Sequence, residues 1–251
     1  PLIGTVHHPL PIDREAALRQ ALGAHQMMRL IFFYPFIMPN IVAKRMDRVI
    51  TISESSAREI ARYFKVPARK TRVVYLGVDT KVFRPAPHPA KNGQILFVGN
   101  TDDRRKGIVF LLKAMELLTK DYDLHLTIVD RKPPDAILAP TFVERYGLAD
   151  RVTFTGRLSI EELAAVYSSS TIAVTPSLFE GFGLPAVEAM ACEVPVVATR
   201  AGALPEVVVD GETGLLVPPG NPSALAEVIA KLIDQPSLRE RLGTAGRQRV
   251  E

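Results

Sequence analysis

Two carboxylates, Glu180 and Glu188, stand with seven residues between them in the segment Phe179-Glu-Gly-Phe-Gly-Leu-Pro-Ala-Val-Glu-Ala-Met190. Gly181 and Gly183 permit a tight loop there, and Pro185 suits the first turn of a helix. A helix starting at that point presents four backbone N–H groups without intrahelical partners and the positive end of its dipole. Phosphate is a natural ligand for such an end. Glu188, about one turn in, complements the dipole. The same carboxylate can instead accept hydrogen bonds from vicinal hydroxyls. Gly181-Phe-Gly-Leu-Pro-Ala186 also satisfies the dinucleotide pattern G-x-G-x-x-A. That fingerprint wants an acid closing the next strand, which here ends in Thr199-Arg200. Arg200 leaves a 2′-phosphate, and so a nicotinamide oxidoreductase, as a remote alternative.

The elements that must position these residues follow from periodicity. From Gln94 onward strands alternate with helices. Strands are expected at 95–98, 124–129, 152–155, 172–175, 194–199 and 214–217. Helices are expected at 107–119, 140–146, 160–168, 185–192, 223–232 and from 237 onward. This alternation predicts an α/β fold with a parallel sheet covered on both faces. Before it, a strand end at 2–6, a strand at 48–53, a helix from Ser53 to Tyr63 and a strand at 71–75 form a separate group. Ser53 is the expected N-cap. Three prolines between Phe83 and Asn92 rule out a continuing helix or central strand. The expected organisation is a first domain over 1–86, a linker at 87–93 and a second domain over 94–251.

Composition sets the class of partner. The 251 residues are 47% hydrophobic and 23% charged, ordinary for a globular chain with a real core. A net charge of +4 without a basic block gives no footprint for nucleic acid. The single cysteine, Cys192, excludes an internal disulfide and reads as a small core residue at a helix end. No Cys/His spacing suits zinc. Asp102 and Asp103 read as solvated loop charges, and Asp121-Tyr-Asp123 as a polar turn, so no metal site is expected. The apolar run from Leu30 to Met38 is interrupted by proline and falls short of the ~20 residues that a transmembrane helix needs. It reads as a buried helix or loop, with contact to a membrane or lipid acceptor as the alternative.

The pair Glu180 and Glu188 within Glu-Gly-Phe-Gly-Leu-Pro resembles the E-x7-E motif of the retaining glycosyltransferases of family four, the glycosyl transferases group 1. The resemblance extends along the chain in fixed order. It takes in Asp47-Arg-Val-Ile-Thr-Ile-Ser53, Leu76-Gly-Val-Asp79, Phe83-Arg-Pro85, Lys106-Gly107 and Arg151-Val-Thr-Phe-Thr-Gly156. It continues through Pro195-Val-Val197, Pro205-Glu206 and Thr213-Gly-Leu-Leu-Val-Pro218. It implies GT-B architecture, with a complete C-terminal Rossmann-like domain and the C-terminal part of an N-terminal one, trimmed at both ends.

The resemblance also implies a donor, a nucleoside-diphosphate sugar, and an acceptor that is a carbohydrate or lipid-linked hydroxyl. No cofactor and no metal are implied, and the location is cytoplasmic, peripheral on the inner membrane face where the apolar run makes contact. Carried over by position, Glu188 holds the ribose hydroxyls and Glu180 the transferred sugar. The amides of Gly181, Phe182, Gly183 and Leu184 serve sugar hydroxyls and diphosphate. Arg157 and Leu158, after Gly156, border the base. Lys106 neutralises the departing diphosphate, which is electrostatic catalysis. His7 faces the donor sugar from the first domain, with a histidine that merely ends a strand as the alternative.

Three positions depart from the family pattern. Asn100 stands where an arginine binds diphosphate, with Arg104 or Arg105 as possible substitutes and solvated loop charges as the alternative. Asp130-Arg-Lys-Pro-Pro134 replaces a Gly-x-Gly turn, and Glu193 replaces a glycine after the helix. The expected activity is transfer of a hexose with retention. A nucleotide-sugar-binding fragment without independent activity is the alternative.

Overall fold

The computed structural model describes residues 1–7, 37–85 and 92–251, with backbone alone at 37–40. The apolar run at 30–36, His8 and most of the expected linker lie outside these residues. Chain contacts divide the protein into two compact units, Pro1–Leu76 and Gly77–Glu251.

The first unit holds a three-stranded parallel sheet of β1 (Ile3–Thr5), β2 (Arg48–Thr51) and β3 (Thr71–Val73), in that order. Helix α1 (Ile37–Arg45) precedes β2 and begins within the end of the apolar run, beyond which the sequence reading assigned no element before β2. Pro39 is its third residue, in the first turn, where a missing N–H costs nothing. Lys44 and Arg45 sit at the negative end of its dipole. Helix α2 (Glu54–Phe64) begins as expected, with Ser53 Oγ accepting from the Ser56 amide at 3.0 Å. Ala43, Val49, Ile60, Phe64 and Val66 form the core of this unit.

The second unit is built on six parallel strands. They are β4 (Gln94–Val98), β5 (His125–Val129), β6 (Val152–Phe154), β7 (Ile172–Thr175), β8 (Val196–Thr199) and β9 (Leu215–Val217). Their spatial order is β6-β5-β4-β7-β8-β9, so the winding direction reverses between β4 and β7. In such sheets ligands bind beyond the carboxyl ends of the strands at the reversal. Ile95 and Phe97 join a core with Leu111, Met115 and Ile229, whereas Leu96, alternating with them, is buried on the opposite face. Both faces are therefore covered, as the unbroken apolar strands require.

Helices α3 (Ile108–Leu118), α4 (Leu138–Arg145), α5 (Ile160–Ser168), α6 (Leu184–Ala191), α7 (Leu204–Val207), α8 (Pro222–Asp234) and α9 (Pro236–Val250) supply that cover. Helix α3 packs on α4 and α8, and α6 packs on α5, α7 and α9. Most ends agree with the sequence reading to within two residues, and α5 agrees at both ends. Its start is marked by a capping box between Ser159 and Glu162.

Helix α6 ends at Cys192, and Glu193 follows in the left-handed region at φ 58°. The glycine expected at this place would adopt that conformation freely, whereas a residue with a Cβ is strained by about 1–2 kcal/mol. The Glu193 side chain is exposed, and its carbonyl backs onto Gly243 of α9, where a Cβ would lie 2.1 Å away. Glu193→Gly should therefore raise stability by up to about 1 kcal/mol, after the greater freedom of the unfolded glycine is deducted. A lower midpoint in urea for the variant would contradict this.

Candidate functional site

Two loops leave the sheet at the reversal point. The first, 99–107, follows β4 and contains a turn of 3-10 helix at Arg104–Lys106. Asp103 caps that turn by accepting from the Arg105 amide at 3.0 Å. The second, 176–183, follows β7 and leads into α6. Leu178 N–H donates to Arg105 O at 2.7 Å, so the loops are bonded backbone to backbone. Gly107, at φ 70°, sits so close to the second loop that a Cβ would fall 2.0 Å from Pro176 O. A side chain is excluded there by space and by conformation together.

This approach brings the expected Lys106 and Glu180 into contact. Lys106 Nζ donates to Glu180 Oε2 at 2.9 Å, and Ser177 Oγ donates to the same oxygen at 3.1 Å. The pair is largely but not fully shielded, with side chains 27% and 12% exposed. The Glu180 backbone is fixed from a third side by the loop after β8. Its carbonyl accepts from Ala203 N–H at 2.9 Å, and Gly202, at φ 56°, passes it too closely for any Cβ.

Helix α6 starts at Leu184, one residue before the expected start, with Gly183 as N-cap at φ 108°. Glu188 is consequently the fifth helical residue and belongs to the second turn, not the first as the sequence suggested. Its position is set by burial more than by the dipole. Burial raises its pKa above the ordinary carboxylate value, opposed by a hydrogen bond from Tyr167. The Tyr167 phenol donates to Glu188 Oε2 at 2.8 Å. Sequence reasoning missed Tyr167, which belongs to none of the motifs that single out the other residues. Cys192, a helical turn further on, is buried, and burial pushes its thiol up to about 11.

The remaining expected residues are placed as follows. Asn100 Oδ1 accepts from Asp102 N–H at 3.0 Å and from Arg131 Nη2 at 3.2 Å. Arg105 is held by Asp103, with Nη2 to Oδ2 at 2.7 Å, and burial lowers its pKa. Arg104 is exposed. Arg157 and Gly156 line an open cavity of about 430 Å³ together with Arg131, Lys132 and Asp135. Leu158, next in sequence, is half-buried. Phe182 is buried, and Leu184 is exposed. His7 is exposed and lies just past β1 in the first unit, where Val6 N–H donates to Ile50 O. Arg200 pairs with Asp210 at 2.6 Å.

Asp102 corrects the expectation of a solvated charge. Its Oδ1 accepts from the amides of Ile137 and Leu138 at 3.0 and 2.8 Å, capping α4, while Oδ2 meets Arg131 at 2.8 Å. These bonds and the arginine hold its carboxyl below the usual range against the opposing effect of burial. Among the described residues no group of three or more His, Cys, Asp or Glu side chains gathers as a metal cage. No helix among them is long and apolar enough to cross a membrane.

Residues 78–249 match the family described as Glycosyl transferases group 1, and residues 1–82 match Glycosyltransferase Family 4. The whole chain is 41% identical to an MMP alpha-(1->4)-mannosyltransferase of Mycolicibacterium hassiacum, covering 61% of that protein. The chain thus spans about three fifths of the length of this curated relative. Among solved structures, a sucrose-phosphate synthase of Thermosynechococcus elongatus superposes with a TM-score of 0.81 at 32% identity. That match covers 99% of this chain and 62% of the other. An Anabaena protein, HepE, solved with UDP and glucose, is alike in fold at a TM-score of 0.80 and 22% identity, over 99% of this chain and 66% of its own. These likenesses place the two α/β units in the GT-B type of fold.

The close approach at Gly107 yields a direct test. Gly107→Ala should cost at least about 2 kcal/mol, from the left-handed backbone and the collision with Pro176 O together. Thermal unfolding that leaves the midpoint unchanged would contradict the packing described.

Proposed function

The chain belongs to the glycosyl transferases group 1 family, and from that premise we propose that it serves a retaining transfer of a hexose from a nucleoside-diphosphate sugar to an acceptor hydroxyl. The observation that carries this reading is the Lys106–Glu180 pair at the sheet reversal, on the loop that runs into α6. A cation, a carboxylate and a helix N-terminus on adjoining loops suit a donor that is anionic at one end and rich in hydroxyls at the other. Among the described residues no nucleophile–base pair accompanies them, and the proposed work of the protein is positioning and charge stabilisation. The mannosyltransferase name of the 41% relative supports sugar transfer.

In the proposed reaction the bond between the anomeric carbon and the diphosphate oxygen breaks. A bond to the acceptor oxygen forms on the same face, and the acceptor proton passes to the departing diphosphate. Lys106 stabilises the charge that grows on the leaving group. In the free protein Glu180 holds the lysine in place, and it exchanges part of that contact for donor hydroxyls. Glu188 accepts from the ribose. The amides of Gly181, Phe182, Gly183 and Leu184 serve the diphosphate and sugar, and the base lies against Gly156, Arg157 and Leu158. Asn100 and Arg105 border the diphosphate. His7 is carried over from the family pattern as a contact of the transferred sugar. No metal takes part, so transfer should persist in a chelator. The protein is proposed to be cytoplasmic, with the acceptor a carbohydrate or lipid-linked hydroxyl.

The first measurement is turnover and thermal stabilisation with a panel of UDP-, GDP- and ADP-sugars, since a bound donor raises apparent stability by mass action. Stabilisation without transfer would leave a nucleotide-sugar-binding fragment, whereas NADPH binding in place of nucleotide sugars would overturn the reading. Glu188→Ala should weaken binding of the free nucleoside diphosphate by roughly 1–3 kcal/mol in calorimetry, and unchanged affinity would remove the ribose assignment. Lys106→Ala should depress turnover much more than it lowers the melting temperature. Equal losses in both would make Lys106 a structural residue.

A further inference from the structure

Helix α5 places one aromatic side chain out of keeping with its neighbours. Tyr167 is 1% exposed, yet it carries a hydroxyl that needs a partner at this depth. That partner is Glu188 Oε2, at 2.8 Å. The ring itself is held edge-on by Phe83, with centroids 5.9 Å apart and planes at 74°. Phe83 is fixed in turn, because its carbonyl accepts from Arg247 of α9 at 2.9 Å. The next residue, Ser168, donates to Arg84 O at 2.8 Å. Tyr167 therefore has its ring, its backbone neighbour and its hydroxyl all constrained before any ligand arrives.

From this geometry we infer that Tyr167 is a positioning residue for donor binding: its phenol fixes the Glu188 carboxylate so that the other carboxylate oxygen faces the ribose. The inference rests on the proposed nucleotide-sugar reading. A phenol donor satisfies Oε2 inside the protein and sets the plane of the carboxylate. Oε1 remains as the acceptor for hydroxyls arriving from the open side. The donor also favours the ionised form against the effect of burial. Without the phenol, a half-buried carboxylate would either rotate toward water or keep a proton, and both lose the ribose contact. The role could not be filled by phenylalanine, which packs equally well against Phe83 but offers no hydrogen. It differs from a purely structural role because its benefit is delivered only to ligands that possess the ribose hydroxyls.

The test is Tyr167→Phe, titrated by calorimetry with UDP and GDP and with their 2′,3′-dideoxy counterparts. Wild-type protein should bind the tighter ribonucleotide at least about ten-fold better than its dideoxy form. In the variant the ribonucleotide should lose about five- to thirty-fold, while the dideoxy form is bound as before. With a sugar donor, KM should rise by a similar factor and kcat should change much less. An equal loss for ribo and dideoxy forms would mean that the phenol only supports the fold, and the inference would fail. An unchanged ribonucleotide affinity would also overturn it while leaving the donor reading intact. Wild-type protein that binds none of the four nucleotides would instead remove the donor reading itself.

Discussion

The loops after β4 and β7 leave the sheet where its winding reverses, and at Gly107 they meet with no room for a side chain. That constraint has consequences well beyond one residue. It lets the Leu178 amide reach Arg105 O, which joins two loops that the sheet itself only places side by side. The joined loops then set Lys106 against Glu180 across 74 residues of sequence. A largely shielded ion pair of this sort contributes little net stability, because desolvation offsets the attraction. What it supplies is a fixed position for two charges at the carboxyl end of the sheet. The third loop, after β8, adds Gly202 under the Glu180 backbone. Three crossover connections thus converge on Glu180, two of them at its carboxylate and the third at its backbone.

Glu188 illustrates the opposite balance. Its burial raises the free energy of the charged form, and a hydrogen bond from Tyr167 only partly offsets that effect. A half-buried acid with a raised pKa is a poor choice for stability alone, since an apolar residue at the same helical position would pack without cost. Its presence next to the α6 N-terminus makes sense if a ligand completes its hydrogen bonding. The Tyr167 hydrogen bond favours the ionised carboxylate against that burial. Cys192, one turn later, is raised to about 11 because burial outweighs the hydrogen bond with Ser168 and the charge of Arg247.

What could be read from the sequence tracks the range of the forces involved. Helix α5 was legible at both ends because its capping box lies within four residues, Ser159 to Glu162. Helix α4 was expected to start near Pro140 and starts at Leu138, because its cap is Asp102, 36 residues away. Nothing local announces a cap that belongs to another loop. Helix α1 went unassigned beyond Met38, and Pro39 is tolerated in it because it falls in the first turn. In the site, Glu180, Glu188 and the loop glycines stood out by spacing, whereas the place of Lys106 came from resemblance to a family. Tyr167 was invisible, since a tyrosine at helical spacing is indistinguishable from core until its hydroxyl finds Glu188.

The two departures from the family pattern near the first loop are not independent. Asn100, in place of an arginine, accepts from Arg131, which belongs to the segment that replaces the usual Gly-x-Gly turn. Arg131 is further held by Asp102 at 2.8 Å and lies 3.9 Å from Asp130. Asp130 in turn accepts from the amide and hydroxyl of Thr101 at 2.6 and 2.7 Å. The loops after β4 and β5 are thereby tied by three side chains on one and two on the other. An arginine at position 100 would stand within contact distance of Arg131, and like charges at that range repel in any partly shielded setting. Conversely, a flexible glycine turn at 130–132 would leave Asn100 with the Asp102 amide as donor and Asp102 without the Arg131 counter-ion. Asparagine at position 100 is therefore the residue that accommodates Arg131 on the neighbouring loop.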